Sequence, residues 1–328
     1  MSTKTFDVAI VGGGPAGLSA ATTLARSLRS VVVLDAGQPR NAPAGSTEPA
    51  RYAPGAHGAH NVLGHEGISP LDLLEKGRAE ARGYGAEIRS TEVVDAARND
   101  NGSFAVSLGD GTTITARRLV LASGLVDELP EVPGVQELWG SSVLHCPYCH
   151  GYEVRGRRIG VLGTSPMSVH QTLMFRQLSD DVTLFTHTMP EIGADEAEQL
   201  SALGVTVVDG PVDHLAITDG ALRAVVLGDG SEVERDAVVV APRFVVRSAL
   251  FTRLGGVLAD HPMGGQYVGT GMMGRTDVPG VWAAGNVADL AATVAVSMGA
   301  GVSAGAAVNA DLIAEDARSA VEARRVRA

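Results

Sequence analysis

At 328 residues the chain is long enough for two domains, and its 45% hydrophobic and 19% charged content is that of a folded globular protein. Lys and Arg number 26 against 37 Asp and Glu, giving a net charge of −11 with no basic stripe. That balance argues against nucleic acid or an anionic membrane as the main partner.

In chain order, Phe6-Asp7-Val8-Ala9-Ile10-Val11 reads as a buried parallel strand, with no secretory signal ahead of it. Gly12-Gly13-Gly14-Pro15-Ala16-Gly17 follows, then helical pattern over 16–28 and a second strand over 31–34 that ends at Asp35. Residues 41–69 are rich in Gly, Pro, Ala and His and read as a long functional loop before a helix over 70–82. Asn101-Gly102 and Asp110-Gly111 mark hairpins between short strands in 92–122.

A second cycle opens near Gly156: strand 158–162, turn 163–166, helix 168–178, strand 182–185. Hairpin signals return at Asp219-Gly220 and Asp229-Gly230, and strand 237–241 closes the cycle. A small-residue helix is expected over 293–314, then a charged tail over 317–328. The segment 281–307 comes nearest to a membrane-spanning length, but Asn286 and Asp289 interrupt it. These features point to the cytoplasm.

The repeat predicts an α/β fold with two Rossmann-like dinucleotide-binding domains, the second inserted in the first. Residues 1–122 and 243–328 would form one domain and 123–242 the other.

Gly12-x-Gly14-x-x-Gly17 lies between a strand and a helix, with Asp35 following 18 residues after Gly17. Gly12 suits the tight turn, Gly14 lets the backbone approach a pyrophosphate, and Gly17 lets helix and strand pack closely. Pro15 and Ala16 open the helix, whose N-terminus favours phosphate, and Asp35 can accept from a ribose hydroxyl.

The two cysteines are Cys146 and Cys149, in His145-Cys146-Pro147-Tyr148-Cys149-His150. A lone CxxC in a chain of this kind reads as a redox pair. A zinc site would put four ligands within six residues, which strains a tetrahedron, and no metal is expected. A His on each side can deprotonate an incoming thiol or stabilise a thiolate; His150 and His145 are both candidates for the base. The loop histidines His57, His60 and His65 read individually as solvated surface groups. His170, His187, His214 and His261 read as structural.

Residues 276–286, ending Trp282-Ala283-Ala284-Gly285-Asn286, resemble the second FAD motif of two-dinucleotide flavoprotein reductases. That resemblance implies FAD as cofactor, with Gly285 and Asn286 near its ribitol and the amides near Thr293 and Val294 at the flavin edge. The family usually has Asp where this chain has Asn286. Over its whole length the chain resembles low-molecular-weight thioredoxin reductases, which implies a homodimer, a flavin-facing Cys149 and an interchange Cys146. The Cys-x-x-Cys-His pattern is more similar to a sub-group of FAD-dependent dithiol oxidases that close disulfides in gliotoxin- and holomycin-type natural products. The Arg40-Asn41 pair and the His-bearing loop fit that sub-group, and Asn61 stands where relatives place a flavin-contacting Asn.

The second turn reads Gly163-Thr164-Ser165-Pro166-Met167-Ser168, with Ser165 in place of the middle glycine. After the next strand, Thr186-His187-Thr188 stand where the family's arginines would clamp a 2′-phosphate, and no acid replaces them. Either the nucleotide site is vestigial or a divergent one binds NADPH weakly. The expected function is oxidation of a small-molecule dithiol to an intramolecular disulfide. Electrons would pass through FAD to O2, giving H2O2. The alternative is a thioredoxin-disulfide reductase fed by NADPH or another donor.

Overall fold

The computed structural model describes residues 4–40, 58–262 and 264–327. They divide into two compact units, one of residues 4–40, 68–126 and 244–327, the other of 58–67 and 127–243. The segment 58–67 therefore groups with the central unit, not with the N-terminal residues among which the sequence places it.

The first unit begins with β1 (Thr5–Val11), α1 (Pro15–Arg26), β2 (Val31–Asp35), α2 (Pro70–Gly83) and β3 (Glu87–Ser90). β4 (Val93–Arg98), β5 (Phe104–Leu108) and β6 (Thr113–Leu121) follow as a meander, turning at the two expected hairpins. β7 (Leu125–Glu128) leads onward.

The central unit contains α3 (Val135–Leu138), β8 (Val143–Leu144), α4 (Pro147–His150), β9 (Ile159–Leu162), α5 (Met167–Arg176), β10 (Val182–Phe185), α6 (Ala194–Ala202) and β11 (Thr206–Val208). Its meander is β12 (Val212–Thr218), β13 (Ala221–Leu227) and β14 (Glu232–Glu234), and β15 (Ala237–Val239) closes it. The chain returns through β16 (Arg243–Val246), α7 (Ala249–Arg253), β17 (Leu258–Asp260), β18 (Gln266–Val268) and β19 (Val281–Ala283) to α8 (Val294–Arg327).

The sheet of the first unit runs β3-β2-β1-β6-β5-β4, with β19 also paired to β6. β1 is parallel to both β2 and β6. The central sheet runs β11-β10-β9-β15-β8, all parallel. In both units the first strand of the cycle lies between the second and the closing strand.

The buried strands explain the apolar runs. Ala9, Val32 and Leu34 enter a core with Phe104 on one face of the sheet, while Val8, Ile10, Val31 and Val33 enter another with Leu24 of α1. Successive side chains point to opposite faces, so a sheet covered on both sides needs a continuous apolar run. Burying each Val, Leu or Ile contributes roughly 1.5–3 kcal/mol.

α8 corrects one expectation. It continues through the residues read as a charged tail, because Ala, Arg and Glu are strong helix formers. Arg118 Nε meets Asp311 at 2.6 Å, Arg117 meets Glu315 at 2.6 Å, and Arg29 meets Asp316 at 2.7 Å. By length and composition alone α8 meets the test for a membrane-crossing helix, a test that the core helix of a folded domain passes as well. Here its small residues pack on α1: a Cβ on Gly301 would lie 2.1 Å from the Ala16 carbonyl oxygen.

Candidate active site

The turn after β1 is shaped by close backbone packing. A Cβ on Gly12 would lie 2.2 Å from the Ala122 carbonyl oxygen, and one on Gly17 1.9 Å from that of Gly12. Either would force strand and helix apart. A Cβ on Gly14 meets nothing within 4 Å. Gly14 is the N-cap of α1 with Pro15 at its first turn, so open space lies where a phosphate would approach free N–H groups. Asp35 Oδ2 packs against Gly13 and meets Arg78 at 3.3 Å, while Oδ1 accepts from Gly37 N–H. This donor set fits the pyrophosphate and ribose of FAD.

The second motif meets the first in space. A Cβ on Gly285 would lie 2.8 Å from that of Ala16. Asn286 Nδ2 donates to the carbonyls of Asp289 (3.1 Å) and Ala292 (2.9 Å), so this amide braces the turn ahead of α8. Thr293 stands just before α8: its carbonyl accepts from Ser297 N–H at 2.9 Å and its hydroxyl from Val296 N–H at 3.4 Å. Val294 is the first helical residue. Arg40 lies over the Phe244 ring at 5.1 Å. Asn41 and His57 lie outside the described residues.

Cys146 precedes α4 and Cys149 lies within it, because Pro147 at the first helical position and the turn bonds from Cys149 and His150 N–H to the Cys146 carbonyl fold the CxxC into one turn. Cys149 Sγ donates to Cys146 Sγ at 2.8 Å, with no disulfide between them. A small closing movement reaches a disulfide length of about 2.05 Å. His145 Nδ1 donates to the Val240 carbonyl at 2.9 Å, which leaves Nε2 as the basic nitrogen. Gln171 Nε2 secures the arrangement by donating to the carbonyls of His145 (3.0 Å) and Val240 (3.2 Å). Burial pushes the His150 pKa down; the Glu153 carboxylate opposes this and His60 adds to it. Near neutral pH His150 is thus held in its basic form.

The segment around Asn61 docks on this turn. Asn61, at a φ of 59°, donates from Nδ2 to the Tyr148 carbonyl at 3.0 Å. Glu66 closes the loop, accepting from His60 Nδ1 at 2.6 Å and from Asn61 N–H at 2.9 Å. His60 Nε2 faces Glu153 Oε1 at 3.5 Å. The expectation that His60 is a solvated surface group is therefore corrected: its side chain is 19% exposed and lies between two carboxylates. His65 is exposed, as is His170, which was read as structural. Among the described residues, no group of three or more His, Cys, Asp or Glu is arranged to hold a metal ion.

The second turn is already internally bonded. Ser168 Oγ accepts from Thr164 N–H at 3.1 Å and Ser165 N–H at 3.3 Å. Met189 packs on the same turn, its Sδ 2.6 Å from where a Gly163 Cβ would stand. Beside it is a groove of about 670 Å³ whose only charged lining residues are Glu191 and Asp209. No acid was expected here; the fold brings these two from outside the 186–188 stretch. His187 adopts a φ of 43° and its Nδ1 accepts from Val212 N–H at 3.0 Å, a structural role.

Glu66, Glu153, Gln171 and Ser168 were missed from sequence. Glu153 lies three residues after His150 and Ser168 opens a helix, so each had a local signal. Gln171 and Glu66 had none.

Residues 6–305 match the family described as pyridine nucleotide-disulphide oxidoreductase. The chain is 33% identical to thioredoxin reductase tcpT of Claviceps purpurea (strain 20.1) over 326 residues, 96% of this chain and 97% of that protein. It is 30% identical to thioredoxin reductase aclD of Aspergillus oryzae (strain ATCC 42149 / RIB 40), over 91% of this chain and 94% of that one. The crystal structure of HlmI superposes with a TM-score of 0.89 at 45% identity, covering 99% of this chain and 98% of that one. The chain belongs to the pyridine nucleotide-disulphide oxidoreductase family and is a thioredoxin-reductase-like, FAD-binding oxidoreductase.

Proposed function

We propose that the protein is an FAD-dependent dithiol oxidase. It closes an intramolecular disulfide in a small-molecule, natural-product dithiol and passes the electrons to O2, giving H2O2. We place it in the cytoplasm as a homodimer, with neither nucleic acid nor membrane as partner.

The observation that carries this reading is the occupied turn after β9. Ser168 Oγ takes two N–H groups that a nucleotide pyrophosphate would need. The carboxylates of the adjoining groove would repel a 2′-phosphate. Electrons then enter more readily from the CxxC than from NADPH.

In this scheme a substrate thiolate attacks Cys146 Sγ of the Cys146–Cys149 disulfide, and Cys149 leaves as a thiolate. The second substrate thiol gives its proton to His150 or His145 and attacks the first substrate sulfur. The cyclic disulfide forms and Cys146 is released. Gly12, Gly14, Pro15, Ala16, Gly17, Asp35, Gly285, Asn286 and the start of α8 would hold FAD, which when bound would supply the two-electron sink that restores the cysteine disulfide.

The names of tcpT and aclD favour the second reading, a thioredoxin reductase. Anaerobic mixing separates the two. Bleaching of the flavin by small dithiols but not by NADPH or NADH, with peroxide appearing on admission of air, supports the oxidase. Prompt bleaching by NADPH overturns it.

A further inference from the structure

We infer that two side-chain amides, those of Gln171 and Asn61, clamp the CxxC turn. Each grips the carbonyl of the residue just before a cysteine and so fixes where the two sulfurs stand. Both are positioning residues, acting through the turn and not on the substrate. The inference deepens the proposed function at the same site, and of that reading it needs only that Cys146 and Cys149 are the exchanging pair.

The peptide that leads into each cysteine is held from outside the turn. Gln171 Nε2, from α5, donates to the His145 carbonyl at 3.0 Å, on the peptide bond into Cys146. Asn61 Nδ2, from the docked segment, donates to the Tyr148 carbonyl at 3.0 Å, on the peptide bond into Cys149. The N–H of that second peptide is held as well, donating to the Cys146 carbonyl at 3.3 Å. Each clamp is itself anchored. Gln171 is 5% exposed and its Nε2 also reaches the Val240 carbonyl at 3.2 Å, so turning its amide over would set oxygen against two oxygens. Asn61 holds a φ of 59°, a conformation that Asn tolerates, and its own N–H donates to Glu66 at 2.9 Å.

α4 has only four residues, too few to hold a helical turn without help. Exchange with a small dithiol needs that turn to keep its shape in both redox states. In the exchange one S–S bond breaks and another forms. The protein disulfide takes two electrons and two protons from the small dithiol and becomes two thiols, while the small dithiol closes its own disulfide. The reduced turn, if free to spread, would carry its sulfurs apart. Clamped on both cysteine-bearing peptides, it keeps their effective concentration high, and closing the protein disulfide again costs little freedom. Cys149 Sγ accordingly reaches Cys146 Sγ in the unbridged pair. Releasing one residue of backbone at either clamp lowers that effective concentration by about tenfold.

The test equilibrates full-length, FAD-loaded protein with mixtures of reduced and oxidised dithiothreitol, without oxygen or nucleotide. Alkylation and mass measurement then read the state of the cysteines. Asn61→Asp keeps the shape and the tolerance of positive φ but loses the donor. Gln171→Met keeps the length but loses both donors. In each, the constant for forming the protein disulfide should fall by about tenfold or more, a rise in potential of about 30 mV. Asn61→Asp, at an exposed position, should melt and retain flavin like the parent. Gln171→Glu, held protonated by burial and so keeping one donor, guards against a Gln171→Met that does not fold, and its constant should lie between those of parent and Gln171→Met. A constant within about twofold of the parent's in Asn61→Asp, or in a Gln171 variant that folds, overturns the inference. Loss of flavin from Asn61→Asp with an unmoved constant would assign that amide to the flavin and overturn it equally. Prompt bleaching of the parent by NADPH would sink the oxidase reading instead, and these constants, measured without NADPH, would still judge the clamps on their own.

Discussion

Ser168 Oγ accepts a hydrogen bond from Thr164 N–H at 3.1 Å, inside the turn where a Rossmann domain ordinarily receives a pyrophosphate. Ser168 is fully buried and also accepts from Ser165 N–H. Ser168→Ala leaves both donors without their acceptor and is expected to cost about 1–3 kcal/mol. Urea unfolding measures the loss. The variant should still not be reduced by NADPH, since Glu191 and Asp209 remain in the groove.

Two glycines of one motif should behave oppositely. Gly17→Ala drives a methyl group into the Gly12 carbonyl and is expected to destabilise by about 3 kcal/mol or more, yielding little folded protein. Gly14→Ala meets open space, so it should melt like the parent and yet retain less flavin. Visible absorbance and thermal melting on the same preparations compare the two. Equal flavin content in Gly14→Ala and the parent would show that the cradle is not the pyrophosphate site.

Neither cysteine should be replaceable. Cys146→Ser removes the sulfur assigned to the incoming thiol, and Cys149→Ser removes the leaving thiolate. Each is expected to lower dithiol-dependent peroxide formation on the order of 10³-fold or more. Stopped-flow flavin reduction and a peroxide assay provide the check, and a variant that keeps a tenth of its activity by this estimate would contradict the exchange scheme.

Acid should weaken the central unit through His187. Burial holds its imidazole pKa below the ordinary value, and Nδ1 accepts from Val212 N–H only when the ring is unprotonated there. In the unfolded chain the ring protonates near pH 6.5, about where a free imidazole does. Below that pH the unfolded state binds more protons than the folded state. The stability is thus fully present above about pH 6.5 and is lost as pH falls through the lower folded value. His187→Asn retains an acceptor and tolerates the positive φ, so it should lose less stability than the parent between about pH 7.5 and pH 5. Parallel denaturant midpoints for the two across that range would exclude this role.

Local patterns in the chain announced most of the architecture. The run from Phe6 to Val11, the Gly12–Gly17 turn and the Asn101-Gly102 and Asp110-Gly111 hairpins all stand where the sequence put them, because each is decided by neighbours within a few residues. The end of α8 was misread: residues 317–327 carry the helix on as exposed turns of good helix formers, beyond the Asp311, Glu315 and Asp316 carboxylates that arginines far earlier in the chain hold in place.

What the sequence determined by itself is the chemistry on offer: a glycine cradle for a dinucleotide, a pair of thiols one turn apart, and a histidine on either side of them. Strand period, turn residues and cysteine spacing are short-range properties, so one chain suffices to read them. Only the tertiary structure decided that Ser168 fills the second turn, that Glu191 and Asp209 line its groove, and that His60 lies between Glu66 and Glu153. Those relations join side chains from separate segments, and packing rather than local preference brings them together.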